Sequence, residues 1–325
     1  MMSPFHEGEL EVQSLAGESQ MAKRNGVLIA DRIIGGARSL LQQQSMVVFA
    51  SQDRGNNLWS SIVFGRPGFM RSEDGYAVDF DLSNVALQEK DPLWANIEVN
   101  SSAGMLAIDL ATRRRIRING LLSRPRENSL RLGVQEAYPN CPKYITRRQL
   151  RTVTTELSES FPATTGAALG PDQQRPLTRA DVLFVATAHP TRGADASHRG
   201  GVPGFIEVLD DRTLRIPDYS GNSMFNTLGN LRVNARAGII VPDFERGRTL
   251  QLTGTAEILW NQDDPADRTE GTHRFLAFRV AHWLELPLPA GVKTEFLDYS
   301  PYNPTRTSRT GGNIPPFTAT PKLVE

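Results

Sequence analysis

The chain has 325 residues, 39% of them hydrophobic and 22% charged, with a formal net charge of zero. That is enough chain for two hydrophobic cores, and it sets up no global field favouring nucleic acid or an acidic membrane. One cysteine, Cys141, excludes an internal disulfide framework and a cysteine-based metal cluster, and apolar runs such as Met46–Ala50 are too short to cross a bilayer.

The N-terminus, "MMSPFHEGELEVQ", has no basic stretch and no apolar run of the secretory kind, so a cytoplasmic location is expected. Residues 18–44 place Met21, Leu28, Ile29, Ile33, Ile34, Ala37, Leu40 and Leu41 on one approximate helical stripe, interrupted by Gly35 and Gly36. Residues 1–44 therefore read as an arm and a helix. From Ser45 the texture changes to short apolar runs between turns: "MVVFAS", "LWSSIVF", "YAVDFDL", "AGMLAIDL" and "RRIRING". In "YPNCPKYITRR", Asn140 is a plausible N-cap and Pro142 the first residue of a helix. Its N-terminus, with Lys143, could face an anion or simply begin a helix. Residues 151–180 read as helix and linker, the second part being rich in Pro, Gly, Ala and Thr.

The order then repeats. "DVLFVATA", "GFIEVL", "LRIP", "AGIIVPDF" and "TLQLTGTAEILW" follow as predicted strands, and residues 301–325 form a proline-rich tail without a period. At a constant offset of 134, Asn96, Val99, Asn100, Ala103, Gly104, Asp109, Arg114 and Gly120 recur as Asn230, Val233, Asn234, Ala237, Gly238, Asp243, Arg248 and Gly254. Such a period is too long for a solenoid and implies two whole domains, 45–150 and 181–300.

The polar residues concentrate in two places. "TAHPTRGADASHRGGVPGF" (187–205) holds Arg192, Ser197, His198 and Arg199, and "YSGNSMFNTLGNL" (219–231) holds Asn222, Ser223, Asn226 and Thr227 where a short helix could begin. Guanidinium forks, hydroxyls, amides and glycine-exposed backbone N–H groups suit a phosphate; the same residue types also build ordinary turns. Five of the 36 basic residues are lysine, a bias toward fixed anion contacts that genome composition also produces. No P-loop, dinucleotide fingerprint or H-E-x-x-H motif is present. Asp195, Ser197 and His198 are too close in sequence to make a triad. His189 and His198 lack the further ligands that a metal site needs. Catalytic residues cannot be assigned at this level.

"ATAHPTRGADASHRGGVPGF", "GNSMFNTLGNLRVNARAG" and "GRTLQLTGTAEI" resemble the pyridoxamine 5′-phosphate oxidase-like family of FMN-binding split β-barrels. More weakly, so do "GNNLWSSIVFGRPGF" and "AGMLAIDLATRRRIRING" in the first half. The resemblance is closest to tandem members, which also occur ahead of ferredoxin-reductase-like modules. It implies a mainly β (α+β) fold of two tandem split β-barrels, six strands each, related by a pseudo-two-fold, with FMN in the crevice between them. Ser197, His198 and Arg199 would edge the flavin and its phosphate, Asn222 would sit beside them, and Gln251 would lie on the strand that reaches the cofactor across the interface. Asn226 and Thr227 fall where many relatives carry an Arg-Lys pair for the phosphate, so Arg199 or Arg192 would have to compensate. In the first copy "SSIVFG" replaces "ASHRGG", making it a structural partner barrel with a degenerate site. Trp59 and Trp94 are core aromatics or flavin-stacking groups, and Cys141 is an ordinary buried thiol. The implied function is that of an FMN-binding oxidoreductase serving a small molecule or a redox-protein partner, with no nucleic acid or membrane and with pairing of chains left open. Two other readings are a haem-handling barrel using His189, His198, His273 or His282 as axial ligand, and a cofactor-free interaction module.

Overall fold

The computed structural model describes residues 3–152 and 162–304; the tail expected from 305 onward lies outside the described residues. Three short helices open the chain: α1 (Glu7–Leu15), α2 (Ser19–Gly26) and α3 (Gly35–Gln43). The single interrupted stripe expected over 18–44 does not form. Ala30 instead exchanges backbone hydrogen bonds with Ala137, at 3.1 and 2.7 Å, and Ile33 N–H bonds the Gly75 carbonyl at 2.8 Å. A continuous helix would forfeit those bonds.

The first sheet contains β1 (Met46–Gln52), β2 (Leu58–Phe64), β3 (Met70–Arg71), β4 (Ala77–Asp81), β5 (Ser102–Asp109), β6 (Arg114–Arg126) and β7 (Ser129–Pro139), with α4 (Pro92–Asn96) before β5. After β8 (Arg147–Thr152), β9 (Thr164–Gly166) and α5 (Pro171–Arg179) comes the second sheet. It contains β10 (Val182–His189), β11 (Gly193–Gly200), β12 (Glu207–Val208), β13 (Thr213–Pro217), β14 (Arg236–Asp243), β15 (Arg248–Leu259) and β16 (Phe275–Pro287), with α6 (Asn226–Val233) before β14. Strand order is β2-β1-β5-β6-β7-β4-β3 in one and β11-β10-β14-β15-β16-β13-β12 in the other, with β9 added beside β16. The two orders are the same once β1 is matched to β10. Each sheet thus has seven strands on its path rather than six, the additional one being the two-residue β3 or β12. β17 (Lys293–Asp298) pairs with β8 as a separate ribbon.

The chain is mainly β with short helices, and its split-barrel halves pack on each other through strands buried on both faces. Along β1, Val47 and Phe49 enter the core of the first sheet, while Met46, Val48 and Ala50 enter a third core shared between the sheets. On β10, Leu183 and Val185 face their own core, and Val182, Phe184, Ala186 and Ala188 face the shared one. Because side chains alternate along a strand, two buried faces require an unbroken apolar run. "MVVFA" and "DVLFVA" are such runs.

Two glycines from the repeat set how closely the sheets approach. A Cβ on Gly104 would lie 2.5 Å from Asp195 Cα, and one on Gly238 would lie 2.4 Å from the Leu58 carbonyl oxygen. The contacts are reciprocal: β5 against β11, β14 against β2. A second repeated pair, Gly120 and Gly254, marks a register shift in β6 and in β15, as expected where a bulge brings backbones together.

Two further local expectations are corrected. No helix follows Asn140: residues 140–146 are loop, because arginines of the neighbouring strand region take the carbonyls that a helix would use. Arg115 Nε donates to the Cys141 carbonyl and Arg113 Nε to the Ile145 carbonyl, each at 2.8 Å. Within 151–180, β9 pairs with β16, and α5 begins at Pro171 inside the stretch read as linker.

Candidate functional site

A pocket enclosing about 790 Å³ of space open to solvent lies between the sheets. The first half contributes Arg115, Arg117, Asn140, Cys141, Lys143 and Tyr144; the second contributes 197–200 on β11, the loop after β13 and the start of α6. β6 supplies the first wall by alternation. Ile116 and Ile118 enter the first core, which aims Arg115 and Arg117 the other way, toward the second sheet.

Arg117 is buried and fully engaged. Its Nε lies 2.9 Å from Asp195 Oδ1, and its guanidinium donates to Tyr138 Oη at 3.0 Å, to Asn226 Oδ1 at 2.9 Å and to Ser197 Oγ. Burial opposes its charge, but Asp195 and Tyr138 outweigh that and hold it firmly protonated. Thr227 Oγ1 donates to Ser197 Oγ at 2.8 Å. Three predicted residues, Ser197, Asn226 and Thr227, are thereby brought together around a guanidinium from the other half.

Arg199 lines the same pocket in an ion pair with Asp218, whose other oxygen is 3.0 Å from Arg274 Nε. Arg115 differs from both, for among the described residues no carboxylate pairs with it. Burial, then the Arg117 and Arg199 guanidiniums, lower its pKa. Since a guanidinium stays charged in proteins, the shift measures how poorly its charge is compensated. His198 is 8% exposed, and its Nε2 is buried with no hydrogen-bond partner. Burial, Arg115 and Arg199 hold its pKa well below the usual range, so the ring is neutral at pH 7. Asn140 Oδ1 is likewise buried and unpartnered. Buried polar atoms without partners are uncommon and call for an explanation.

Three of the nine non-glycine residues with positive φ among the described residues, Tyr144, Ser223 and Phe225, line the pocket, with φ of 64°, 63° and 61°, a region uncommon for residues with a Cβ. Tyr144 stacks on Tyr219 with ring centroids 4.7 Å apart, and its hydroxyl lies 2.8 Å from Glu270 Oε2. Asn222 also lines the pocket, its Oδ1 accepting from Met224 N–H at 3.1 Å. Cys141 is half-buried at the rim rather than enclosed in the core.

Gln251 does not line this pocket. It is fully buried, with Nε2 2.6 Å from Asp91 Oδ2, and Ser61 donates to the same carboxylate. Gln251 stands 134 positions after Arg117, on the equivalent strand. The Gln251–Asp91–Ser61 group thus fills the first sheet's counterpart of the place where Arg117 meets Ser197. Arg192 lies away from the pocket, paired with Glu136. Trp59 donates to Asp53 at 3.2 Å, and Trp94 packs on the first core.

Of the histidines named as axial ligands, only His198 lines the pocket. His189, His6 and Glu7 bring ligand-type atoms within 4.8 Å of one another. Each Nδ1 accepts backbone N–H, from Gly8 at His6 and from Thr191 and Arg192 at His189. The Nε2 atoms therefore carry the protons, donating to Asn230 and Glu7, which leaves them no lone pair for a metal.

A family model described as pyridoxamine 5′-phosphate oxidase matches residues 170–284, from the start of α5 into β16. Solved structures similar to this chain include three bacterial proteins. One is a candidate pyridoxamine 5′-phosphate oxidase from Lactobacillus delbrueckii, with 16% identity, covering 36% of this chain and 94% of that one, at a TM-score of 0.30. HupZ of Group A Streptococcus has 16% identity, covers 38% and 98%, and gives 0.30. An FAD-binding protein from Mesorhizobium loti has 14% identity, covers 38% and 96%, and gives 0.27. Curated proteins gave no match to the sequence. The matched segment provides the β11 and α6 walls of the pocket, and Arg115 and Lys143 enter from outside it.

Sequence reasoning missed Arg115 and Arg117. The signal was present in "RRIRING": isoleucines alternate with arginines on a strand central to its sheet, so the outward arginines need either partners or a ligand.

Proposed function

We propose that the chain binds flavin mononucleotide in the pocket between its sheets and acts as an FMN-dependent oxidoreductase toward a small molecule or a redox protein. The observation that carries this reading is Arg115, a half-buried cation without a carboxylate partner, placed among the unpartnered atoms of His198 and Asn140. The guanidinium and a His198 N–H suit a phosphate monoester, which offers charge and several acceptor oxygens, and the Asn140 Oδ1 acceptor suits a hydroxyl of the ligand. Relatives were expected to hold that phosphate at positions 226 and 227. Here Asn226 and Thr227 are bonded to Arg117 and Ser197, and across the crevice stand Arg115, which meets no carboxylate among the described residues, and Lys143, whose ammonium lies over the Tyr302 ring.

Bound there, a flavin would supply hydride or electron transfer. The protein's part is to hold it: Arg115 and Lys143 for the phosphate, neutral His198 and Asn140 for hydrogen bonds, and the Tyr144–Tyr219 pair with Phe225 for apolar walls.

A visible absorbance spectrum of the purified protein, with FMN titration followed by flavin fluorescence, tests the reading. A bound-flavin spectrum or saturable quenching is expected. Protein that stays colourless with excess FMN and leaves its fluorescence unchanged would refute it.

One pH effect arises from the N-terminal arm beside the site. Glu9 of α1 is buried, accepting from His6 N–H at 2.9 Å and from Asn226 Nδ2. Burial raises its pKa from 4.5 to about 8. The folded state therefore favours the protonated acid, and the stability this confers is complete below pH 4.5 and is lost as pH rises through 8. Melting midpoints measured between pH 5 and 9 are expected to carry a falling component that Glu9→Gln removes; identical profiles for the two proteins would refute it.

A further inference from the structure

Asn222, Ser223, Phe225 and Asn226 form one wall of the pocket, and the backbone of 222–226 is held in an unfavourable shape by left-handed Ser223 and Phe225. Such a conformation persists only where the surroundings impose it. Here the N-terminal arm imposes it. Asn25 Nδ2 donates to the Asn222 carbonyl at 2.7 Å, Gln13 Nε2 donates to the Met224 carbonyl at 3.1 Å, and Ser223 Oγ donates to Glu18. Asn226 Nδ2 donates to Glu9 on the same arm.

Apolar packing reinforces this grip. Met224 is buried in a small core with Phe5 and Ala22 of the arm and Tyr138 of β7. The arm itself is seated by backbone contact, since a Cβ on Gly8 would lie 2.2 Å from the Gly229 carbonyl oxygen of α6. Gln13 is 2% exposed, and among the described residues its side chain donates to the Met224 carbonyl. A buried amide is costly unless it is hydrogen-bonded, so the bond to the Met224 carbonyl resists being given up.

We propose that Gln13, Glu18 and Asn25 are positioning residues of the ligand pocket: from about two hundred residues away in sequence, they hold the 222–226 wall in the shape that a ligand meets. Docking of the arm and binding in the pocket are then one coupled equilibrium, and whatever loosens one weakens the other. The proposal rests on the flavin reading only for the identity of the ligand.

The test uses the whole chain and the variants Gln13→Ala and Asn25→Ala. Arg232→Ala serves as control, because the exposed Arg232–Glu11 pair joins the same arm to α6 without touching the wall. Amide hydrogen exchange at 222–226 is measured without ligand, and FMN affinity by fluorescence quenching. Either variant is expected to speed exchange at 222–226 and to weaken FMN binding by about tenfold, while Arg232→Ala changes neither. Asn25 is half-buried, so its variant reports on the wall without opening the core. Unchanged exchange in both variants, or faster exchange with unchanged affinity, overturns the proposal. If the wild type takes up no FMN, the flavin reading falls and the exchange result alone decides: faster exchange upholds the positioning role, and unchanged exchange ends it.

Discussion

Gly238→Val is expected to destabilise the protein by about 3 kcal/mol, near the upper end of overpacking effects, with a visible fall in its melting midpoint. The new Cβ would lie 2.4 Å from the Leu58 carbonyl oxygen and 2.9 Å from Trp59 Cα. Both belong to the backbone of β2, so no flexible side chain can move aside. The strain would fall on the core shared by the two sheets, where Phe184, Ile240, Leu58 and Leu106 are packed and density leaves little room for adjustment. Gly104→Val should act alike through Asp195 and Ala196. Gly36→Ala is the control: nothing lies within 4 Å of its added Cβ, and an exposed helical glycine gains roughly 0.5–1 kcal/mol on becoming alanine. Thermal unfolding followed by circular dichroism checks all three. Wild-type midpoints for both valine variants would mean that the sheets do not approach as closely as described.

Arg115→Ala is expected to weaken FMN binding by roughly 10–100-fold, the worth of a charge-assisted hydrogen bond of about 1.5–3 kcal/mol. Its cost in stability should be small. The substitution gives up the bond from Nε to the Cys141 carbonyl, but it also removes a cation that burial and two neighbouring guanidiniums disfavour. Arg199→Ala should weaken binding less, since Arg199 already serves Asp218, and Arg274 would remain on that carboxylate. Arg115→Lys should fall between, keeping the charge without the fork. Titration of FMN fluorescence separates these cases. An Arg115→Ala protein that binds FMN as tightly as the wild type would place the phosphate elsewhere.

Much of the architecture was legible in local pattern. "MVVFA" and "DVLFVA" announce strands buried on both faces because no solvent side interrupts them. The 134-residue echo marks positions where geometry is tight. Gly104 and Gly238 recur because each lets one sheet's backbone meet the other's, and Gly120 and Gly254 because each sits at a register shift. The polar stretch Ser197–Arg199 and the start of α6 were legible as one region, since glycine, hydroxyl and guanidinium groups cluster there.

Other features were not local. Asn140 and Pro142 satisfy every near-neighbour criterion for a helix start, yet arginines from β6 and its approach take the carbonyls. The helical stripe over 18–44 is broken by a pairing with Ala137, more than a hundred residues away. Gln251 lies on the strand expected to cross the interface, but packing sends it to Asp91 and Ser61 of the first sheet, and Arg117 makes the crossing that reaches Ser197.

The sequence by itself determined the β-rich class, the duplication and the polar residue types that gather at the pocket, because these depend on side-chain alternation, repeat period and composition. Only the tertiary structure decided which charges are free. Arg199, Arg192 and Arg117 look as available as Arg115 in sequence, but each meets a carboxylate across the fold. Pairing in a low-dielectric crevice depends on distance in space, and the chain order of the residues does not encode it.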